Sequence, residues 1–365
     1  MESKLRAGIL GATGAVGQNY AFLLENHPWF EITYLAASPQ SAGKTYGEAV
    51  ASKWHMNKDL PKKLSSIILR DANLVSKAVG NCDFVFSSYE GAKEEIMRVE
   101  EEYAAAGIPV ISNNSAHRFT EDVPMIIPEI NPLHLDIINA QRENRGWGKG
   151  FIVTKPNCSI QSFMAPIYAL MKRGYKPSTL IVSTEQALSG AGFPGVPSLA
   201  ITDNIVPYIP GEEEKTEKEP LKILGKIEDG KIENCSGLKI SATCTRVPVR
   251  DGHTALVNVK FSGSKPSLED IIEVWNGFKG FPQNSQLPSA PVNPIIYRPE
   301  PDRPQPVKDR DSENGMTVTV GRLRECDVFD YKFVGLSHNT IRGAAGGAIL
   351  TAELLSYLRY LTPRM

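Results

Sequence analysis

Cys158 lies between a predicted strand and a predicted helix, a place where a thiol can do chemistry. The apolar run 151–153 indicates a buried strand, and Pro156 ends it because proline has no N–H for a sheet. Apolar residues then recur at helical spacing over 160–172, with Gly174 as the stop. A helix N-terminus favours anions, so we expect a lowered thiol pKa and predict that Cys158 is a nucleophile. A cysteine that only fills buried space is the alternative.

A nucleophilic thiol needs a base of near-neutral pKa, and histidine is the usual one. His253 follows Arg246 by seven residues around a predicted turn, and we take it as the candidate base. A structural role for His253 is the alternative, since the sequence does not show whether it meets Cys158. His117 and His134 have no partner at metal-ligand spacing, so we predict no metal site.

A short apolar strand over 5–10 leads into the glycine turn Gly11-Ala-Thr-Gly14-Ala-Val-Gly17, and an amphipathic helix follows to about Asn26. Glycines let the backbone approach a pyrophosphate, and the helix start supplies amides and a positive dipole. We therefore predict a dinucleotide site, although such turns also serve as plain connections. The residues assigned to it here are Gly11, Thr13, Gly14, Ala15 and Val16.

The end of the second predicted strand, 31–36, favours NADP over NAD. NAD-binding folds usually place an acidic residue here for the ribose 2′-hydroxyl, and this chain has none. Ser38 and Ser41, with Lys44 nearby, suit a 2′-phosphate, which a carboxylate would repel. An ordinary polar turn is the alternative for each residue taken singly.

Further strands at 67–69, 83–86 and 108–111 alternate with helical stretches, which predicts a Rossmann-type, doubly wound parallel sheet. The strand at 108–111 ends in a polar cluster that includes Arg118, placed to clamp a phosphate or carboxylate or else merely solvated. Later strands predict a second, α+β domain with a mixed or antiparallel sheet. These strands lie at 178–186, 238–249, 254–261, 316–322 and 331–336.

At 365 residues the chain is expected to form two domains. We place an NADP-binding domain at 1–157, completed by the C-terminal helix 338–365, and a catalytic domain at 158–337. Two glycine-rich segments, 187–195 and 339–347, suit backbone contact with a cofactor. The alternative for 187–195 is a mobile connection, and for 339–347 it is a helix start that packs closely against the first domain. We assign Ser189, Gly190, Asn339 and Gly343 to cofactor contact. The charged run 211–219 has the pattern of a solvated helical face, and 282–314 that of an irregular excursion.

Composition excludes several classes of protein. A net charge of −1 argues against nucleic acid as a partner, and no apolar run approaches the roughly 20 residues that span a bilayer. The N-terminus has no signal-peptide pattern. Five scattered cysteines without C-x-x-C spacing fit a reduced, cytoplasmic protein.

Taken in order, the motifs resemble those of aspartate-semialdehyde dehydrogenases, in the branch typical of archaea and fungi. The similarity runs nearly end to end. The matching stretches are 11–17, 38–44, 127–131, 156–159, 185–190, 246–253 and 339–347.

The resemblance implies reversible, NADP-linked conversion of L-4-aspartyl phosphate to L-aspartate 4-semialdehyde, on the way to threonine, methionine and, in many organisms, lysine. It makes Cys158 the acylated nucleophile, His253 the acid/base and Gln186 the residue that positions the intermediate. It also implies a homodimer or homotetramer built through the second domain. The substrate-binding roles it implies are Arg246 for the carboxylate, Glu219 for the ammonium, and Lys222, Arg118 and Asn157 for phosphate.

Two kinds of alternative stay open. An acyl-CoA reductase such as malonyl-CoA reductase would use the same cysteine on a thioester, and N-acetylglutamyl-phosphate reductase is a more distant relative whose substrate lacks a free ammonium. An NADP-binding pseudoenzyme that acts as a scaffold belongs to another class. A scaffold would need none of Cys158, Gln186, Arg246 and His253.

Overall fold

The computed structural model describes residues 4–363 and is built on two large sheets. The first sheet has six parallel strands in the order β3-β2-β1-β4-β5-β6. Its strands are β1 Leu5–Leu10, β2 Phe30–Ala37, β3 Arg70–Asp71, β4 Phe84–Ser87, β5 Val110–Ser112 and β6 Ile152–Thr154. The strand order reverses between β1 and β4, and parallel sheets bind ligands outside the carboxyl ends of their strands at such a point.

Helices connect these parallel strands because each return to the same edge needs a crossover. They are α1 Ala15–Leu23, α2 Tyr46–Val50, α3 Lys62–Ser65, α4 Lys93–Ala105 and α5 Ile137–Arg145. Both faces of the sheet are buried, so β4 reads as an unbroken apolar run with Phe84 and Phe86 fully enclosed. The chain then passes through Cys158 into α6, Gln161–Lys172.

The second sheet is mixed, in the order β10-β7-β11-β14-β13-β12. Its strands are β7 Pro177–Gln186, β10 Lys239–Arg246, β11 His253–Phe261, β12 Ile295–Arg298, β13 Val318–Glu325 and β14 Tyr331–Ser337. β7 pairs antiparallel with β11 and parallel with β10. Helices α6 and α9 (Leu268–Gly277) cover one face of this sheet, where Trp275 and Phe163 are fully buried.

The remaining elements are shorter or follow the second sheet. They are α7 Ser198–Ile201, α8 Glu212–Ile223, the hairpin β8 Lys226–Glu228 and β9 Lys231–Glu233, α10 Phe281–Asn284, α11 Pro306–Asp309 and α12 Gly346–Tyr357. Helix α12 returns to the first sheet, where Ile349, Leu350 and Leu354 join the core formed around β1 and β4. No helix within residues 4–363 is long and apolar enough to cross a membrane.

The predicted fold class, a parallel doubly wound sheet followed by a domain with a mixed sheet, is confirmed. The domain boundaries at 157 and 337 stay predictions, and their outer ends, 1–3 and 364–365, lie outside the described residues. Three local predictions are wrong. The segment 282–314, expected to be irregular, contains β12, which pairs with β13 in the second sheet. The third strand lies at Arg70–Asp71 rather than 67–69. Helix α8 is not a solvated face, because its side from Glu212 to Glu219 packs inward with both carboxylates buried.

Candidate active site

Asn157 shapes the turn that presents Cys158. Its side-chain carbonyl accepts hydrogen bonds from the backbone N–H of Ser159 at 2.8 Å and from the Ser159 hydroxyl at 2.7 Å. An asparagine side chain that bonds two residues ahead makes a turn of its own and ends the extended backbone. Helix α6 then begins at Gln161, so Cys158 lies just before the first helical turn and at the carboxyl edge of the first sheet.

The structure brings Cys158 and His253 together. The Cys158 Sγ lies 3.3 Å from the His253 Nε2, although 95 residues separate the two in sequence. His253 is the first residue of β11 in the second sheet, while Cys158 follows β6 of the first. The pair therefore forms where the two sheets meet, a relation that the sequence leaves open.

The thiol pKa differs from the sequence-based expectation. Burial, with the Glu212 carboxylate second, raises the pKa of Cys158 to about 11 rather than lowering it. Lys155, Arg118 and Arg246 pull it down but do not outweigh burial. The expectation was wrong because it weighed the helix start and not the desolvation of the thiol, which disfavours the charged form. Cys158 is therefore a neutral thiol at neutral pH.

His253 is neutral as well. Burial lowers its pKa to about 3, and Arg246, His338 and Lys155 add to the shift in that order. Its Nδ1 accepts a hydrogen bond from the backbone N–H of Ala187 at 3.0 Å. The ring is thus held between the end of β7 and the sulfur.

Gln186 and Arg246 lie at the ends of the neighbouring strands β7 and β10, where they pair in register. The Gln186 amide donates to the Glu212 carboxylate at 3.1 Å. Arg246 donates to the carbonyl of Ala187 at 2.6 Å, next to His253. Both predicted residues are buried, and the Arg246 charge acts on the pKa of both Cys158 and His253.

Glu212 is a site residue that the sequence analysis missed. The Asn157 amide donates to both oxygens of the Glu212 carboxylate, at 2.9 and 3.0 Å. The Lys215 ammonium forms an ion pair with the same carboxylate at 2.9 Å. Burial alone would raise the pKa of Glu212, but Lys215, Gln186 and Asn157 outweigh it and hold that pKa below its usual value. A carboxylate in contact with Asn157 and Gln186 beside the thiol is suited to bind a cationic group. The signal was present as a second Glu-x-x-Lys in α8.

Glu219 and Lys222, which the resemblance placed on the substrate, are engaged elsewhere. Lys222 donates to three carbonyls, those of Arg118, Thr120 and Val123, at 2.7–2.8 Å. An ammonium group has three protons, so this geometry leaves none for phosphate. Glu219 is fully buried and forms an ion pair with Arg118 at 2.8 Å. Its second oxygen accepts the backbone N–H of Asn157 at 2.6 Å.

Arg118 itself faces the cavity that contains Cys158. Its two terminal nitrogens bond Glu219 and the carbonyl of Asn113, whereas Nε is buried and has no hydrogen-bond partner among the described residues. A buried donor without a partner costs free energy, which a bound anion would recover. This geometry keeps Arg118 as a candidate for phosphate. Asn157 lines the same cavity, but its amide donates to both oxygens of Glu212.

A cavity of about 1570 Å³ runs from the thiol to the first helix. Its wall includes Cys158, Asn157, Arg118 and six of the residues predicted to contact a cofactor, namely Ala15, Val16, Ser189, Gly190, Asn339 and Gly343. The Asn339 amide donates to the Ser189 hydroxyl at 2.8 Å, which joins the two glycine-rich segments. A Cβ on Gly343 would lie 2.8 Å from the Cβ of Cys158, so that position requires glycine.

The predicted nucleotide turn fits a pyrophosphate. Gly11 has φ +78°, and a Cβ there would lie 2.2 Å from the carbonyl oxygen of Ser88. Gly14 precedes α1 in an extended conformation with no side-chain cap, so the amides of the first turn stay available to an anion. The wall of the cavity does not include Gly11, Thr13 and Gly14, nor Ser38 and Ser41, which follow β2.

Lys155 is a second residue that sequence reasoning missed. Its side chain is 3% exposed, and its ammonium donates to the carbonyl of Pro156. Burial, with Arg118 second, lowers its pKa to about 7, while Cys158 and Glu219 act in the opposite direction. A lysine next to a predicted strand end reads as surface, so no signal in the sequence pointed to it. No cluster of metal-binding side chains occurs within residues 4–363.

Two family models match the chain. Residues 6–138 match the semialdehyde dehydrogenase NAD-binding domain, and residues 167–342 match the semialdehyde dehydrogenase dimerisation domain. The aspartate-semialdehyde dehydrogenase of Archaeoglobus fulgidus is 49% identical, over 95% of this chain and 97% of its own length. The chain belongs to the aspartate-semialdehyde dehydrogenase family. The resemblance read from the motifs is thereby confirmed.

Fungal members of the aspartate-semialdehyde dehydrogenase family also match the chain, as expected for the archaeal and fungal branch. The enzyme of Aspergillus fumigatus is 42% identical over 98% of this chain and 99% of its own. The crystal structure of the Candida albicans enzyme with NADP superposes with a TM-score of 0.89 at 39% identity, covering 98% of this chain and all of that one. These relatives match the chain over nearly its whole length, and the Candida albicans structure shares its fold.

Proposed function

We propose that this chain catalyses the reversible, NADP-dependent reductive dephosphorylation of L-4-aspartyl phosphate to L-aspartate 4-semialdehyde through a thioester on Cys158. The observation that carries the proposal is the 3.3 Å contact between His253 Nε2 and the Sγ of Cys158, a residue in the wall of a cavity that reaches the start of α1. A soft nucleophile and a histidine beside a nucleotide turn are what acyl transfer followed by reduction requires.

The substrate groups have separate partners around the sulfur. Arg246 is placed for the carboxylate, since its planar guanidinium suits two-point binding of carboxylates. Glu212, rather than Glu219, is placed for the ammonium because its charge lies against Gln186 and Asn157. Arg118, whose Nε has no partner, is placed for phosphate, and Asn157 lines the same cavity. Lys215, partly exposed beside Glu212, is proposed for the phosphate role that Lys222 is not free to fill.

In the direction of aldehyde formation, the Cys158 sulfur attacks the acyl carbon and phosphate leaves. When bound, NADPH supplies the hydride that reduces the resulting thioester. Gln186 is the last residue of β7, donates to the Glu212 carboxylate and is placed to orient the acyl group on Cys158.

NADP as the cofactor is supported by the turn beyond β2. Ser38, Ser41 and Lys44 follow the strand without an acidic residue, which suits a 2′-phosphate. The Candida albicans relative, whose structure contains NADP, shares the fold over its whole length.

The chain is also proposed to act as a homodimer or homotetramer, because its second half matches a dimerisation domain. A role in the cytoplasm and in the aspartate pathway to threonine, methionine and, in many organisms, lysine follows from the same family relation. The described part of the chain contains no disulfide bond, which suits a reducing compartment.

The test measures NADPH formation from L-aspartate 4-semialdehyde with phosphate, without phosphate, or with coenzyme A. Sustained turnover that requires phosphate is the expected result. Turnover only with coenzyme A would move the protein to the acyl-CoA reductases. Tight NADP binding without turnover in any arm would favour the pseudoenzyme.

A further inference from the structure

We propose that Thr216 is a positioning residue for the nucleophile: its hydroxyl holds Ser159, and through Ser159 it fixes the turn that presents Cys158. We call residues 157–159 the nucleophile turn. The inference rests on the proposed function, because it takes Cys158 as the acylated residue. Thr216 is fully buried and the cavity wall does not include it, so it acts on the thiol only through its neighbours.

Helix α8 contacts the nucleophile turn at three places along one face. Glu212, Thr216 and Glu219 are spaced by four and three residues, which makes them neighbours on the helix surface, and all three are buried. Glu212 accepts from the side-chain amide of Asn157 at 2.9 and 3.0 Å, and Glu219 accepts its backbone N–H at 2.6 Å. The Thr216 hydroxyl oxygen, between these two carboxylates along the helix, lies 3.3 Å from that of Ser159.

The orientation of the Asn157 side chain follows from two partners that leave no choice. The backbone N–H of Ser159 can only donate, so the Asn157 atom that it contacts at 2.8 Å is the side-chain carbonyl oxygen. The Glu212 carboxylate can only accept, which places the amide nitrogen of Asn157 on its side. Both constraints select the same orientation.

The contact between Thr216 and Ser159 then has one possible direction. The Ser159 hydroxyl has a single proton, which it donates to the Asn157 carbonyl at 2.7 Å. Ser159 is therefore the acceptor at 3.3 Å, and Thr216 is the donor. With its proton on Ser159, the Thr216 oxygen accepts from the Cys244 thiol at 3.7 Å. A directed row of hydrogen bonds thus runs from β10 through α8 to the nucleophile turn.

This row holds the part of the turn that the two carboxylates do not reach. The backbone N–H and the hydroxyl of Ser159 both bind the same Asn157 oxygen, so a shift of Ser159 also moves the cysteine between them. Ser159 is fully buried, and among residues 4–363 only Thr216 donates to its hydroxyl. Displacement of a reacting group by about 1 Å can lower a rate by about 100-fold, so a smaller shift is sufficient to slow attack.

The kinetic test compares Thr216→Val, which keeps the shape of the side chain without the hydroxyl, with Thr216→Ser, which keeps the hydroxyl. The rate of the first turnover is measured as NADPH formed from L-aspartate 4-semialdehyde with phosphate, together with KM for both substrates. We expect Thr216→Val to lower this rate by about tenfold at nearly unchanged KM values, and Thr216→Ser to restore most of it. A wild-type rate in Thr216→Val would overturn the proposal.

Thr351→Val separates positioning from a general loss of stability. Thr351 is also fully buried, and its hydroxyl donates to the carbonyl of Gly347 within the last helix segment. Each valine variant loses one buried hydroxyl, so the free energy of unfolding in urea should fall in both. Only Thr216→Val should slow the first turnover. An equal loss of rate in Thr351→Val would show that the rate follows stability, against the proposal.

A double-variant cycle tests whether Thr216 acts through Ser159. Ser159→Ala removes both the acceptor for Thr216 and the donor to Asn157. If the two residues act along one path, Thr216→Val slows the first turnover by about tenfold in wild type and changes it little further in Ser159→Ala. Equal slowing in both backgrounds would mean that Thr216 acts independently of Ser159, and the proposal would fail.

Hydrogen exchange of the nucleophile turn does not depend on which substrate the protein uses. We expect the peptide containing residues 157–159, followed by mass spectrometry at neutral pH, to exchange faster in Thr216→Val than in wild type, and at the wild-type rate in Thr351→Val. Equal exchange in wild type and Thr216→Val would contradict the inference. If exchange differs as expected but wild type shows no phosphate-dependent turnover, the proposed function fails and the hold of Thr216 on the turn stands.

Discussion

Helix α8 carries two Glu-x-x-Lys pairs, and they do different work. Glu212 and Lys215 lie beside Cys158, and the Glu212 carboxylate raises the pKa of the thiol. Seven residues, or about two turns, further along the same face, Glu219 and Lys222 hold the segment around Arg118. Spacing sets the face of a helix on which a side chain lies, but not the neighbour it meets along the axis.

The partners of the two pairs decide which charged side chains of α8 remain available to a substrate. The Glu219 carboxylate is paired with a buried arginine and accepts a backbone N–H. Every proton of the Lys222 ammonium is donated to a backbone carbonyl. Glu212 is held by two side-chain amides and a partly exposed lysine, so if Lys215 turns toward solvent, both amides keep their hydrogen bonds to the carboxylate. We therefore assign stability to the second pair and substrate binding to the first.

The largest expected effect comes from Lys222→Met. Three buried carbonyls lose their donor, so the free energy of unfolding should fall by at least about 3 kcal/mol, measured by urea denaturation. Lys218→Met, at an exposed position of the same helix, is the control and should change little. Unchanged stability with a raised KM for phosphate would return Lys222 to the substrate and break the comparison.

Glu212→Gln should act on catalysis instead. Loss of a charge-assisted contact to the substrate ammonium costs about 1.5–3 kcal/mol, so kcat/KM should fall by roughly 10- to 100-fold while the free energy of unfolding changes little. Glu214→Gln, which alters an exposed residue two positions away, is the control for charge alone. Equal kcat/KM in the two variants would show that Glu212 does not bind the substrate.

A smaller effect is expected for Lys215→Met. Lys215 is partly exposed, so its interaction with phosphate is weakened by solvent. The KM for phosphate should rise by about tenfold, with KM for the aldehyde nearly unchanged. A rise in KM for both substrates alike would mean that Lys215 acts only by holding Glu212.

The pH dependence of stability sharpens the comparison further. Burial lowers the pKa of Lys222 from 10.5 to about 8. Between those values the unfolded chain binds more protons than the folded chain, so the free energy of unfolding rises with pH, by at most about 1.4 kcal/mol per pH unit. The difference between wild type and Lys222→Met in urea denaturation should therefore grow from pH 8 to 10. A constant difference would show that Lys222 keeps its ordinary pKa.

Most of the fold could be predicted from the sequence because local residue patterns determine its strands, turns and helices. The strand–turn–helix around Gly11–Gly17 and the strands around Cys158 follow from periodicity and from glycine and proline. It also predicted that Cys158, His253, Gln186 and Arg246 matter, and the structure brings these four residues together.

What the sequence did not predict depends on burial and on contacts between distant segments. The raised thiol pKa and the low pKa of His253 come from desolvation, which no local pattern reports. The choice between the two pairs on α8 depends on which segment packs against each turn, and Lys155 is enclosed only because the chain folds back over it.

A single turnover without phosphate tests most directly whether the reaction passes through a thioester on Cys158. Wild-type protein is mixed with L-aspartate 4-semialdehyde and NADP⁺, NADPH is measured, and the protein is then digested for mass spectrometry. We expect about one NADPH per subunit and an aspartyl group on the peptide that contains Cys158. Both should be absent in Cys158→Ala. Continued turnover without phosphate, or an acyl group on another residue, would contradict it.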